Sequence, residues 1–151
     1  MDEMWSFYKS KKNQEWLWWA IDHNTSKPLA FVFGTREHSC LDRLLNLLKP
    51  FGIKKFYTDS NFAYEIRIQS NSLETGKRNT QKIERQHLTL RTRIKRLARK
   101  TICFSKNKII HENVVVYLIC CNSKNHICKL FVEIENIYKR TNNTFMNVFA
   151  F

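Results

Sequence analysis

Large apolar residues alternate with polar ones in the first 34 residues of the chain, in three runs separated by short polar segments. A period of two predicts β-strands that turn one face toward a core. The separating segments are short enough for tight turns, so we expect the three strands to form an antiparallel meander. The predicted strands are Glu3–Ser10, Glu15–Asp22 and Pro28–Gly34.

The pattern then changes to a helical period, in which apolar residues recur three and four positions apart and Pro50 ends the first such run. Shorter strand-like and helical segments follow. This order of elements predicts a mixed α/β fold with helices packed on a sheet. The predicted segments are a helix over Arg36–Pro50, a strand over Ile53–Thr58, a short helix beginning within Ser60–Tyr64, a loop over Gln69–Asn79 and a helix over Thr80–Lys100.

Positive charge is concentrated on the last of these helices and the residues after it. Between Lys77 and Lys108 there are twelve Lys and Arg residues but a single acid, Glu84, so this window contributes +11 of the net charge of +13. A stripe of this density indicates a polyanionic partner, of which nucleic acid is the usual one. Glu84 is then either a ligand in a metal-dependent phosphoryl-transfer site or a surface acid paired with a cation such as Lys77 or Lys82.

Three aspartates lie at the ends of predicted strands, namely Asp2, Asp22 and Asp59. Strand ends direct side chains into a common crevice, where two or three carboxylates suit Mg²⁺ ions that promote an in-line phosphoryl displacement. Arg91 follows Glu84 by seven residues, two helical turns along the same face. It either holds a DNA phosphate beside the carboxylate or is a coincidence of a very basic helix.

Composition limits the remaining possibilities. A chain of 151 residues that is 43% hydrophobic can bury one sizeable core, so we expect one domain. We expect no membrane partner and no secretory leader, because no run of 18 apolar residues and no charged-then-apolar start is present. Five cysteines without framework spacing indicate reduced thiols in a cytoplasm. At strand periodicity the four tryptophans are expected in the core rather than as stacking platforms for bases.

Several segments together resemble the transposases of the insertion-sequence-1 family, specifically their InsB-type catalytic part. The resemblance extends from Asp2 to about Val116 and is most specific in the basic segment. It implies an RNase H-like fold: a mixed sheet of an antiparallel three-strand meander plus a parallel strand, with flanking helices. It also implies a DDE active site that uses Mg²⁺, with Mn²⁺ as a substitute. The segments are DEMWSF, WLWWAIDH, LAFVFG, FYTDS and TQKIERQHLTLRTRIKRLARKTICFS.

The same resemblance implies that Asp2, Asp59 and Glu84 are the catalytic and metal-binding residues. The 24 residues between Asp59 and Glu84 fit the spacing of the family. Asp22 remains the alternative to Asp2 as the first member. His111 matches a histidine of the family whose role we leave open. The residues expected to line the DNA path are Arg85, Arg91, Arg93, Lys95, Arg96, Arg99 and Lys100.

Two departures from the family pattern affect the interpretation. The upstream zinc-binding and helix-turn-helix part is not seen before Asp2, so we expect an N-terminally truncated catalytic domain over residues 1–116. Residues 117–151 form a divergent, Asn-rich tail that we interpret as read-through sequence. A zinc site is a weak alternative there, because the spacing matches no common finger. Its candidate ligands are Cys120, Cys121, His126 and Cys128.

The leading functional hypothesis is a DNA transposase that cleaves transposon ends and joins them to target DNA. Its expected partner is double-stranded DNA, bound as a homo-oligomer, with no small-molecule substrate, in a bacterial cytoplasm and associated with the nucleoid. The alternative is a catalytically inactive DNA-binding remnant, or an inhibitor of the intact transposase. A third class is an RNase H-like nuclease that cleaves RNA–DNA hybrids and shares the carboxylates. The concentrated basic helix, with Arg91 seven residues beyond Glu84, favours the transposase over this class.

Overall fold

Three antiparallel strands in the order β1-β2-β3 form the first sheet of the protein. The structure, a computed structural model, describes residues 1–98, 100 and 102–122. They are β1 (Asp2–Phe7), β2 (Gln14–Ile21) and β3 (Pro28–Gly34). The predicted meander is therefore confirmed. The first strand is shorter than predicted, because Tyr8 keeps only an isolated bridge to Ser105 and the chain then turns.

Both faces of this sheet are covered, as the alternation of β2 shows. Trp18 and Trp19 point to opposite faces, and their exposures are only 1% and 2%. The prediction that tryptophans belong to the core is confirmed for these two, while Trp5 and Trp16 are half-buried. A sheet buried on both faces needs helices on each side, and four helices are present among the described residues.

The helices divide between the two faces. On the face of Trp18 lie α1 (His38–Leu48) and α2 (Phe62–Arg67), which contribute Leu41, Leu44 and Tyr64 among others to one core. On the face of Trp19 lie α3 (Lys77–Arg93) and α4 (Lys108–Asn122), which contribute Ile83, Leu90 and Ile119 to the other. Together with the strands they make a mixed α/β fold, as predicted. No helix in the described part of the chain is long and apolar enough to cross a membrane.

A parallel pair of strands forms a second sheet beside the start of β1, so the predicted parallel strand is present but the prediction that it joins the meander in one mixed sheet was wrong. The pair consists of β4 (Phe56–Thr58) and β5 (Leu73–Thr75), joined through α2. The Met1 ammonium donates to the Tyr57 carbonyl at 2.5 Å, which attaches β4 to the start of β1. The prediction of a loop over Gln69–Asn79 was wrong at β5, because a strand of three residues has too few positions to show a period.

The basic helix also differs from its prediction. It begins at Lys77 rather than Thr80 and ends at Arg93 rather than Lys100, because Ile94 has an extended backbone (φ −101°, ψ 100°). A short 3-10 turn over Lys95–Leu97 follows, and both Ile94 and Leu97 are buried in the core. The bend turns these two apolar side chains toward the sheet, which the helical spacing of the sequence did not distinguish from a continuous helix.

The helix α4 was not predicted. It extends to Asn122, so the proposed division of the chain after Val116 falls inside a helix. The division itself stays a prediction. Of the candidate zinc ligands in the tail, His126 and Cys128 lie outside the described residues, and the side chain of Cys121 is not described.

Candidate active site

Asp2 is the first residue of β1 and faces α3. Its Oδ2 lies 3.3 Å from His87 Nδ1, while its Oδ1 accepts a hydrogen bond from the Glu3 backbone N–H at 2.9 Å. His87 is buried, tilted against Trp19 with ring centroids 5.6 Å apart, and its Nε2 has no hydrogen-bond partner among the described residues. The Nδ1 side of the ring therefore lies against the Asp2 carboxylate. His87 thus fixes the orientation of the carboxylate.

Asp59 directly follows β4, and the structure brings it to the same end of the molecule as Asp2. Its Oδ1 accepts the backbone N–H of Asn61 at 3.2 Å. Burial raises the pKa of Asp59, the negative charges of Glu3 and Asp2 raise it further, and the Asn61 N–H and the Arg36 guanidinium oppose them. The three carboxyl groups therefore share one electrostatic environment, although Asp59 is 57 positions from Asp2 in the sequence.

Glu3 is the residue of this environment that sequence reasoning missed. It alternates with Asp2 along β1, so it faces α1 and α2, and its side chain is only 4% exposed. Its Oε1 accepts from Asn61 Nδ2 at 2.7 Å and from Arg36 at 3.1 Å, and its Oε2 accepts from the Tyr64 hydroxyl at 2.8 Å. The sequence shows Glu3 only as one polar position in an alternating strand, which is the usual sign of a solvent-facing residue.

Glu84 lies on α3, one turn before His87. It is exposed, and its Oε1 accepts a hydrogen bond from the Thr80 hydroxyl at 3.0 Å. The helix therefore places Glu84 next to the residue that contacts Asp2. Among the described residues, however, no group of three His, Cys, Asp or Glu side chains is arranged to hold a metal ion. The structure brings Asp2 and Asp59 together and does not close a cage with Glu84.

Asp22, the alternative to Asp2, forms part of the turn between β2 and β3. Its Oδ2 accepts from the Thr25 backbone N–H at 2.9 Å and from the Thr25 hydroxyl, and Oδ1 accepts from Asn24 N–H at 3.5 Å. These hydrogen bonds, led by the one from the Thr25 hydroxyl, lower the pKa of Asp22. An aspartate that satisfies the backbone of a tight turn has a structural explanation of its own.

The basic residues predicted to contact DNA differ in exposure. Arg91 is half-buried and donates from Nη2 to the Trp5 carbonyl at 3.0 Å, so it also joins α3 to β1. Arg96 is half-buried, and Arg99 lies outside the described residues. The remaining four are exposed and form a charged surface along and beyond α3: Arg85, Arg93, Lys95 and Lys100.

Comparison with known proteins identifies the family. A family model described as IS1 transposase matches residues 1–126. The chain belongs to the IS1 transposase family. The resemblance predicted from the sequence motifs is thereby confirmed, and a transposase role follows at this level. No solved structure matches the chain.

Individual relatives agree with this assignment. The IS1-family chain is 50% identical over 115 residues to the insertion element iso-IS1n protein InsB of Shigella dysenteriae, across 76% of this chain and 88% of that protein. It is 40% identical over 115 residues to the insertion element IS1 protein InsB of Shigella sonnei, with the same two coverages. The insertion element IS1 9 protein InsB of Escherichia coli K12 is also 40% identical, over 76% of this chain and 69% of its own length.

His111, the residue whose role the sequence left open, is buried at the other end of β1 in this IS1-family protein. Its Nε2 lies 2.9 Å from Ser6 Oγ and its Nδ1 lies 2.9 Å from Ser105 Oγ. The Ser6 hydroxyl donates to the Glu15 carbonyl, so it accepts from His111 Nε2–H, and Ser105 then donates to Nδ1. Burial, with a smaller effect of Arg96, lowers the pKa of His111 to about 4. The ring joins α4 to β1 in its neutral form.

The stability of the protein should therefore fall on mild acidification through His111. Its pKa drops from 6.5 to about 4 on folding, so between these values the unfolded chain binds the additional proton and stability is lost as the pH falls. At pH 5 the His111 contribution amounts to about 2 kcal/mol. Urea unfolding at pH 7.5 and pH 5 would measure it. A His111→Gln variant should be less stable at pH 7.5 but lose less stability at pH 5; equal losses in both proteins would contradict the assignment.

Proposed function

We propose that this IS1-family protein catalyses metal-dependent cleavage of transposon ends and transfer of the cut strand into target DNA. One observation carries the proposal. Asp2 begins β1 and Asp59 directly follows β4, and the hydrogen bond from the Met1 ammonium to the Tyr57 carbonyl holds the start of β1 against the end of β4. The helix that bears Glu84 contacts Asp2 through His87. Convergence of strand-end carboxylates with an acid on an adjacent helix supports a DDE active site.

The donor set fits a divalent cation. Carboxylate oxygens are the ligands that Mg²⁺ prefers, and a bound cation would oppose both the burial and the repulsion by Glu3 and Asp2 that raise the pKa of Asp59. In this proposal Asp2 and Asp59 would hold Mg²⁺, or Mn²⁺ in its place, and Glu84 would complete the set. The bound ions would supply Lewis-acid stabilisation of the charge that develops on the attacking and leaving oxygens.

The chain itself would position the DNA. A water molecule attacks a phosphodiester at the transposon end and leaves a 3′-hydroxyl, which then attacks a target phosphodiester, joins to its phosphorus and releases a target 3′-hydroxyl. The exposed cations Arg85, Arg93, Lys95 and Lys100 would hold the DNA backbone, together with Arg91, two helical turns beyond Glu84; Arg96 and Arg99 are proposed for the same path. Because two transposon ends must be processed together, we propose that the active form is a homo-oligomer on duplex DNA.

The architecture supports an RNase H-like arrangement for this site. An antiparallel meander with helices on both faces, and a short strand β4 attached to the start of β1, places two acidic residues at neighbouring strand ends. The helix α3 crosses the same region, since the Gly76 N–H donates to the Thr58 carbonyl at 3.1 Å. The scaffold thus links the ends of β1 and β4 with the start of the acid-bearing helix.

A specific observation favours the alternative of a DNA-binding remnant. Glu84 is exposed and hydrogen-bonded to Thr80, and no trio of ligating side chains is assembled among the described residues. A chain that keeps the basic surface without forming the active site would bind duplex DNA and cut nothing. Such a chain would act as an inhibitor if it entered oligomers of an intact transposase.

Nicking of supercoiled plasmid by the purified chain separates these functions. We expect nicking with Mn²⁺ that is lost when EDTA removes the metal, together with DNA binding that weakens steeply as salt rises. Salt-sensitive binding without nicking would instead identify the remnant. The same assay on an RNA–DNA hybrid tests the nuclease alternative, because hybrid cleavage in preference to duplex nicking would contradict the transposase proposal.

A further inference from the structure

The Glu3 side chain is a buried carboxylate that the proposed chemistry does not use. Only 4% of it is exposed, and it accepts hydrogen bonds from three side chains, those of Asn61, Tyr64 and Arg36. Burying a charge is costly unless it is fully hydrogen-bonded, and apolar residues can often replace such a group without loss of stability. A role in the site is therefore a better reason for a carboxylate here than stability alone.

The contacts of Asn61 connect Glu3 to Asp59. Asn61 donates from Nδ2 to Glu3 at 2.7 Å, and its backbone N–H donates to Asp59 Oδ1 at 3.2 Å. Its side-chain oxygen accepts the Ala63 N–H at 3.1 Å and so caps α2. Asn61 is thus held at three points, and one of them is its hydrogen bond to Asp59.

The second oxygen of Glu3 holds the same segment from the other side. The Tyr64 hydroxyl donates to it at 2.8 Å, and the Tyr64 ring is fully buried against Trp18 with ring centroids 6.0 Å apart. The start of α2 is therefore attached through Glu3 to the strand that carries Asp2. The segment that bears Asp59 can move relative to β1 only if these partly buried hydrogen bonds break.

We propose that Glu3 is a positioning residue, which acts through Asn61 to hold Asp59 at a fixed place relative to Asp2. The proposal deepens the proposed function and rests on it, because the geometry matters if both aspartates serve one reaction. Groups that orient metal-binding residues typically affect metal affinity or activity by about 10- to 100-fold. Glu3 itself contacts no reacting group in this scheme.

Two variants separate the hydrogen bonds from the charge. Glu3→Gln keeps the shape and an accepting oxygen, whereas Glu3→Ala removes every contact. In Mn²⁺-dependent nicking, Glu3→Ala should lower the maximal rate and raise the Mn²⁺ concentration for half-maximal rate, each by about 10-fold. Glu3→Gln should have a maximal rate and a Mn²⁺ requirement close to those of the unaltered chain. The affinity for DNA should stay the same in the two variants.

A readout independent of metal and catalysis tests the positioning directly. Hydrogen exchange of the segment 58–66 should be faster in Glu3→Ala than in the unaltered chain and near normal in Glu3→Gln. Because Glu3→Ala could also fail to fold, Asn61→Ser provides a second variant. It keeps an oxygen for the cap of α2 but removes the Nδ2 donor, and it should reproduce the faster exchange. The exposed Glu65→Gln is the matched control and should change nothing.

The outcomes are distinguishable. Unchanged exchange and unchanged Mn²⁺ response in Glu3→Ala and Asn61→Ser would overturn the positioning role even if the unaltered chain nicks DNA. If Glu3→Gln is as inactive as Asp2→Asn, the positioning role is also overturned, because Glu3 would then bind metal itself. If the unaltered chain fails to nick but the exchange differences are present, the proposed function fails while the structural role of Glu3 in holding Asp59 stands.

Discussion

Replacing Glu84 by Gln should abolish Mn²⁺-dependent nicking while leaving DNA binding equal or stronger. The carboxylate is the only acid in the basic window between Lys77 and Lys108, and it lies one turn from the histidine that contacts Asp2. Losing a metal ligand removes a few kcal/mol of transition-state stabilisation, which corresponds to a fall in rate of at least about 100-fold. Removing a negative charge from a basic surface lowers its repulsion of phosphates.

The exposed location of Glu84 makes this substitution easy to interpret. The amide can still accept the hydrogen bond from Thr80, so the fold should not change, and thermal unfolding would verify this. A matched control is Glu74→Gln, another exposed glutamate, which forms an ion pair with Lys55 at 3.7 Å. Full nicking activity in Glu84→Gln, or a clear loss of DNA affinity, would show that Glu84 does not occupy the proposed position.

The second large effect concerns the two aspartates at the strand ends. Asp2→Asn and Asp59→Asn should each reduce nicking by at least about 100-fold, because each removes one anionic ligand from the proposed pair. Asparagine can keep the backbone hydrogen bond at each position, since its oxygen can accept the Glu3 N–H in one case and the Asn61 N–H in the other, while at position 2 the oxygen beside His87 is replaced by an amide nitrogen. Loss of activity without loss of stability would therefore report on charge rather than on folding. Rates measured at saturating DNA and Mn²⁺ would give the comparison.

Asp22→Asn is the control that decides between the two candidates for the first position. Asparagine satisfies the same turn as aspartate, so this variant should fold and nick like the unaltered chain. If Asp22→Asn is inactive while Asp2→Asn is active, the assignment of the first carboxylate is reversed. If all three variants nick DNA as fast as the unaltered chain, the aspartates are excluded from the chemistry.

Local patterns of the sequence were enough for the main elements of the fold. The period of two predicted β1, β2 and β3, and the period of three to four predicted α1 and most of α3, because these periods follow from the geometry of a strand and a helix alone. The count of cations predicted the basic surface around α3, since charge is a property of composition. The family motifs identified Asp2, Asp59 and Glu84 as candidates, which remain predictions until the variants are tested.

Contacts between distant segments decided the rest. The strand β5 exists because three residues find a partner in β4, and α3 ends at Arg93 because the side chains of Ile94 and Leu97 turn into the core. The strand β5 and the end of α3 both depend on contacts with residues that are distant in the sequence, and a local hydrophobic period does not show such contacts.

The same limit applies to the site. The sequence by itself determined which carboxylates lie at strand ends and where positive charge accumulates. Only the tertiary structure showed that His87 contacts Asp2 and that Glu3 is buried and linked to Asp59 through Asn61. Spacing along the chain is set by local backbone geometry, whereas the surroundings of a side chain are set by the packing of elements that are far apart in sequence.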